Sequence, residues 1–297
     1  MTYKADLSPR GGSRHRPQAT PNRKISAGLA RFTLTVAAIV SVCAADILLF
    51  PPPPKTVSAE TMPYWQVLHT GVENDTFYMR GRFGVDFPIV GYRFGGGDTP
   101  RQLLFGINAA AHINMRPTGQ RFPVDNFYAV LGLNFSGDIT PALTWRLYPV
   151  YHVSAHLADG YPEDILKEDV RPISSEMLRG ELYYKPFGDI IELGAGGGWY
   201  YHTCAQKDLL YRADVSVLFT PPIPGAAGET LRPYVLIRAE VVNQGKNHPG
   251  IDASAGILAL TGKRGMGLSL RYFDRLHSSY YFEKYEKGWG VEYTFMY

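Results

Sequence analysis

The run Leu143-Thr144-Trp145-Arg146-Leu147-Tyr148-Pro149-Val150-Tyr151-His152-Val153-Ser154 alternates in character from one residue to the next along most of its length. Leu143, Trp145, Leu147, Pro149, Tyr151 and Val153 fall on one parity, while Thr144, Arg146, Tyr148, His152 and Ser154 fall on the other. Successive side chains of an extended strand point to opposite faces, so this segment has one apolar face and one polar face.

The same two-residue beat recurs in about twelve segments. They run near Trp65 to Val72, Tyr78 to Ile89, Leu103 to Met115, Asn126 to Phe135, Leu143 to Ser154 and Met177 to Pro186. The series continues near Ile191 to His202, Leu210 to Phe219, Leu231 to Val241, Ile251 to Leu260, Met266 to Phe273 and Gly288 to Tyr297. Most have about the nine to eleven residues that a tilted membrane-spanning strand needs. The prediction is an all-β chain: a transmembrane, antiparallel, up-and-down β-barrel of about twelve strands. Connections near Ser136 to Asp138, Phe187 to Asp189 and Gly262 to Arg264 are short and fall at one end, expected to be periplasmic. Those near Arg116 to Asp125, Ala155 to Ser175, Asn243 to Gly250 and Asp274 to Lys287 are longer and fall at the other, with Thr220 to Thr230 as a long exception on the periplasmic side.

Composition agrees. Aromatic residues make up 13% of the 297, with 20 Tyr and 15 Phe, which suits the girdles of a membrane barrel. A formal charge of only +3 and the absence of a basic, aromatic-interleaved block exclude nucleic acid as a partner. Residues 4–31 hold seven Lys or Arg and one acid, Asp6, and lead into the apolar run Phe32 to Ala45, the order of a secretory signal with Val42-Cys43-Ala44 as its cleavage site. The expected organisation is a signal peptide over 1–45, a Pro-rich periplasmic lead-in over 46–62 containing Pro51 to Pro54, and a barrel over 63–297 in the outer membrane of a Gram-negative bacterium. Removal of Cys43 leaves Cys204 unpaired, so neither a disulfide nor a metal or cofactor motif is expected. The last strand alternates Trp289, Val291, Tyr293, Phe295 and Tyr297 with Gly290, Glu292, Thr294 and Met296, and its terminal aromatic suits recognition by the outer-membrane assembly machinery. Outer-membrane lipids are the other expected partner.

The parity rule assigns a charged interior. It turns Arg80, Arg82, Asp86, His112, Asn114, Arg146, Arg179, Glu181, Glu192, Arg212, Asp214, Arg232, Arg238, Glu240, Asp252 and Arg271 inward. An Arg or Lys on the lipid face at mid-bilayer costs about 2–4 kcal/mol, so the shared parity of these charges is a constraint of the fold. Eight arginines against six carboxylates is close to balance and predicts a cross-linked interior. A barrel of this size accommodates either a plugged or a narrow water-filled lumen.

Chemistry concentrates in Tyr151-His152-Val153-Ser154-Ala155-His156-Leu157-Ala158-Asp159-Gly160-Tyr161. His152 and Ser154, two apart on a strand, project from one face within about 7 Å, so a base and a nucleophile can meet there. His156 continues the row, and Glu176 or Glu181 on the following strand can orient an imidazole. Continuing the parity of Arg146 places His152, Ser154 and His156 in the lumen, unless a bulge near Pro149 shifts the register. An interior row of this kind can instead hydrogen-bond to lumen carboxylates and position the Ala155 to Ser175 loop. That loop's Glu163, Asp164, Glu168 and Asp169 lack the spacing and glycine of a calcium loop. The glycine runs Gly95 to Gly97 and Gly194 to Gly198 are not phosphate loops, because neither bridges a strand and a helix with a following Lys-Ser/Thr. Gly194, Gly196 and Gly198 make room for bulky interior neighbours or bend the wall.

The His152-x-Ser154 pair resembles that of the outer-membrane phospholipase A and lipid A deacylase families, whose barrels use Ser as nucleophile and His as base on the lipid-facing surface. The phospholipase follows its pair with Asn-Gly, where this chain has Ala155-His156. The longer stretch Tyr151 to Asp159 resembles the Tyr-His-x-Ser-Ser-His-Leu-Gly-Asp-Glu signature of domain-of-unknown-function family 1207, with Ala155, Ala158 and Gly160 as departures. That resemblance implies an outer-membrane barrel and no particular activity. From the sequence the leading function is a non-enzymatic envelope protein, a narrow channel or structural barrel. The alternatives are a lipid-directed hydrolase using His152, Ser154 and Glu181, and a surface ligand-binding barrel acting through residues 155–175.

Overall fold

The computed structural model describes residues 46–49, 65–73, 76–94, 101–115, 123–157, 173–204, 208–221, 223, 231–261, 264–277 and 284–296. The expected signal peptide, and all of the lead-in after residue 49, lie outside them. Among the described residues every regular element is a strand: β1 (Asp46–Leu49), β2 (Trp65–Glu73), β3 (Thr76–Phe94), β4 (Arg101–Met115), β5 (Val124–Thr140), β6 (Leu143–Leu157), β7 (Ile173–Tyr184), β8 (Ile191–Cys204), β9 (Leu209–Phe219), β10 (Leu231–Gln244), β11 (Lys246–Thr261), β12 (Arg264–His277) and β13 (Lys284–Met296). β2 to β13 pair with their sequence neighbours, and β13 returns to β2, from Gly288 opposite Glu73 to Met296 opposite Trp65. The result is a closed antiparallel barrel of 12 strands. Closure pairs every wall strand on both sides, which is what a backbone in hydrocarbon requires.

Sidedness follows the alternation in the sequence. On β13, Trp289, Tyr293 and Phe295 are exposed on the outer wall, whereas Gly290, Glu292 and Thr294 are buried inside. On β9, Val215, Val217 and Phe219 face out and Leu218 faces in. The even strand count brings the start of β2 and the end of β13 to one rim, and there Leu218, Tyr234 and Leu258 pack into an apolar layer inside the barrel. Further in, Arg146, Tyr148 and Asp86 are all fully buried.

Three expectations about connections are corrected. Asp46–Leu49, expected to be lead-in, forms β1 and pairs with Val90 to Arg93 of β3, covering part of the β3 edge that extends past β2. Asn243 to Gly250, expected as a long loop, is ladder: Asn243 faces Asn247 and Gln244 faces Lys246 around Gly245, whose φ of 67° gives the tight turn its left-handed residue. Asp274 to Lys287 likewise zips down to His277 opposite Lys284. Polar side chains suggested loops in both places, yet ladder hydrogen bonds use the backbone and are indifferent to them.

Candidate functional site

β6 changes faces partway along its length. Arg146 pairs with Ser136 and Glu181 and is buried in the lumen. The register then slips against β5 between Leu147 and Val150, and against β7 between Tyr148 and Tyr151, so that Pro149 and Val150 together oppose a single step of β7. Proline donates no ladder hydrogen bond, and an extra residue inverts the facing of everything after it. Beyond the bulge Tyr151, Val153 and Ala155 are buried inside, and His152, Ser154 and His156 lie on the outer wall. The placement of His152, Ser154 and His156 in the lumen is therefore corrected, His156 being exposed beside Phe127.

The neighbours of this row establish its environment. His152 is directly opposite Leu131 on β5, which is 53% exposed, and Glu176 on β7. Nδ1 of His152 lies 3.4 Å from Oε1 of Glu176, with the two side chains 32% and 34% exposed. Ser154 stands two residues along, opposite Ala129 and Ser174. Leu178, two residues beyond Glu176 on β7, and Trp199 and Tyr201 on β8 are exposed on the same outer wall. An imidazole, a carboxylate and a hydroxyl thus share one patch of the outer wall, with the imidazole on the strand position between the other two.

Glu181 does not belong to this patch. It faces the lumen, where it accepts hydrogen bonds from Arg179 Nε and the Tyr183 hydroxyl, each at 2.8 Å. It is on the opposite side of the wall from His152, and Glu176 occupies the position beside the imidazole. One-residue parity on β7 distinguishes the two carboxylates, because Glu176 shares the face of Leu178 and Glu181 that of Arg179.

The other interior residues form chained ion pairs. Arg146 Nη1 is 3.0 Å from Asp86, and Arg179 donates to Asp214 at 2.8 Å as well as to Glu181. Asp214 also meets Arg238 at 3.1 Å, and Arg212 donates to Glu240 at 2.7 Å. Arg82 reaches Glu292 at 3.2 Å, and Arg271 bridges Glu292, at 2.8 Å, and Asp252. Glu192 is 3.5 Å from Lys185, and the His112 ring stacks on Tyr128 with centroids 4.1 Å apart. Glu286, Arg275 and Glu292 are absent from the interior set that parity assigns, although they carry much of this network. Arg275 and Glu286 belong to the stretch expected as a loop, whereas the final strand's alternation already contains Glu292. Gly196 and Gly198 clear space for the network: a methyl on the first would lie 2.7 Å from Arg179 Nη2, and on the second 2.6 Å from Met177 Sδ. Among the described residues no three His, Cys, Asp or Glu side chains gather as a metal site.

No family model matches the chain, and no curated protein matches either. Among solved structures, outer membrane phospholipase A from Escherichia coli superposes with a TM-score of 0.52 at 10% identity, covering 79% of this chain and 92% of that one. The β domain of the Bordetella autotransporter BrkA gives 0.45 at 13% identity, over 80% of this chain and 99% of its own. OmpT of Vibrio cholerae gives 0.34 at 7% identity, over 83% and 100%. At such identities the phospholipase likeness concerns the fold, and the fold is that of bacterial outer-membrane β-barrels.

Proposed function

We propose that this chain is a lipid-directed carboxylic ester hydrolase of the bacterial outer membrane, exported by its N-terminal signal and acting on acyl chains of the lipids around it. The observation that carries the reading is the bulge at Pro149 and Val150, which brings His152 and Ser154 to the outer wall beside Glu176. A lumen network makes no use of a His, a Ser and a Glu that face away from it on the outer wall. The resemblance of the His-x-Ser pair to the phospholipase and deacylase families, which also face lipid, supports the same reading.

In this mechanism Glu176 accepts a hydrogen bond from Nδ1–H of His152 and leaves Nε2 as the base. Nε2 takes the proton of Ser154 Oγ as that oxygen bonds to the acyl carbon, and the carbonyl electron pair moves onto oxygen. Collapse of the adduct breaks the ester C–O bond, and the imidazolium protonates the departing alcohol. A water molecule deprotonated by His152 then releases the fatty acid and restores Ser154. General base catalysis of this kind contributes about 10²–10⁴-fold.

The test is release of fatty acid from phospholipid or lipopolysaccharide vesicles by the purified full-length barrel. Wild type is expected to release acid, and Ser154→Ala to lose that activity while keeping heat-modifiable gel migration. No release from any envelope lipid, with Ser154 inert to a fluorophosphonate, overturns the reading in favour of a non-enzymatic barrel.

A further inference from the structure

Acyl transfer at Ser154 creates an oxyanion, and enzymes usually stabilise it with donors fixed in advance. Around Ser154 the backbone has none to offer. Val153, Ser154 and Ala155 pair without interruption with Val130, Ala129 and Tyr128 on β5 and with Ser175, Ser174 and Ile173 on β7. Amides in such a ladder are directed at neighbouring strands and not at the surface of the wall. The register slips that free amides lie away from it, on β6 between Tyr148 and Tyr151 and one strand further on at Tyr201 of β8. A side chain must therefore donate.

On the outer face Ser154 has Ala129 of β5 and Ser174 of β7 directly across, His152 and His156 next along β6, and Phe127, Leu131 and Glu176 on the diagonals. His152 is engaged by Glu176 as the base, and Ala129 has no donor. Directly opposed residues of an antiparallel pair have Cβ atoms about 4.5–5.5 Å apart, whereas same-face residues along a strand are about 7 Å apart. Ser174 is thus the nearer of the two remaining donors, and it stands at right angles to the His152-to-Ser154 line, so it does not compete with the base.

We infer that Ser174 is a catalytic residue whose hydroxyl donates to the oxyanion formed at Ser154, an assignment that rests on the hydrolase reading above. Ser174 is half-buried on the outer wall, so small substitutions there do not disturb the ion-pair interior.

Ser174→Ala, Ser174→Val, Ser174→Thr and His156→Ala are compared in the full-length barrel, with folding verified by heat-modifiable migration. The readouts are kcat and KM for fatty acid release, and the rate at which a fluorophosphonate modifies Ser154. Removing one oxyanion donor costs about 10²–10³ in kcat, so Ser174→Ala and Ser174→Val are expected to fall by that factor with KM little changed. Phosphonylation is expected to slow in parallel, Ser174→Thr to recover much of the rate, and His156→Ala to match wild type. Wild-type kcat in Ser174→Ala alongside an inactive Ser154→Ala overturns the oxyanion assignment alone, as does transfer of the loss to His156→Ala. An inactive wild type overturns the hydrolase reading and this assignment together.

Discussion

Arg146 and His152 stand six residues apart on the same strand and face opposite sides of the barrel wall, although an uninterrupted strand would put them on the same side. The chemistry proposed for the outer wall depends on that inversion, and the inversion is testable without any substrate. Single cysteines at positions 151, 152, 153 and 154, in a Cys204→Ser background and carrying a fluorophore, are expected to alternate when quenched from the lipid phase. Quenching should be strong at 152 and 154 and weak at 151 and 153, and the reverse pattern returns the His-x-Ser pair to the lumen.

The two glutamates of β7 should separate function from stability. Glu176→Gln is expected to lower kcat by about 10²–10⁴ while leaving unfolding in urea nearly unchanged, since it removes the group that holds the imidazole tautomer. Glu181→Gln should do the opposite: it deprives Arg179 of a buried partner and leaves the wall patch intact. Equal kinetic losses in both would disprove the assignment of Glu176.

Asp86 and Arg146 form a fully buried pair, so removing one charge strands the other. Arg146→Met is expected to cost about 3–5 kcal/mol in reversible unfolding from lipid vesicles. Adding Asp86→Leu to it should restore a substantial part of that loss, because the uncompensated carboxylate is then gone. A double variant as unstable as the single one would show that packing around Tyr148 dominates, not charge.

Gly196 lies on the interior face against Arg179. Gly196→Ala forces the guanidinium away from its position between Glu181 and Asp214, with an expected cost of about 1–3 kcal/mol. Gly197→Ala, one residue along and with only a backbone oxygen at 3.8 Å, should be much milder in the same unfolding measurement.

Chained ion pairs, among them Arg146 with Asp86, Arg179 with Glu181 and Asp214, and Arg271 with Asp252 and Glu292, occupy the interior of the barrel. Wild-type protein in planar bilayers is therefore expected to give no discrete conductance steps. Regular steps that disappear on reversal of Arg82 and Arg238 to Glu would instead support the narrow-channel reading.

Much of this architecture is legible in the residue pattern, and the illegible part has a definite cause. Interior positions such as Arg82, Asp86, Arg179, Arg212 and Glu240 follow from alternation, because each charge sits among neighbours of opposite polarity on the same strand. Tyr148-Pro149-Val150-Tyr151 defeats the same rule. All four residues suit either face, so nothing in the hydrophobic pattern records the extra residue, and only the proline inside a strand points to it. The hairpin at Gly245 and the long β12 to β13 ladder are hidden by polar side chains for a related reason: near a rim both faces are wet, and alternation carries no information.

The slip at Pro149 and Val150 has an evolutionary reading as well. Since side-chain facing has a period of two, gaining or losing one codon there decides whether the downstream hydroxyl and imidazole address the bilayer or sit among arginines. The catalysis proposed for this wall and its loss are then separated by a single insertion or deletion.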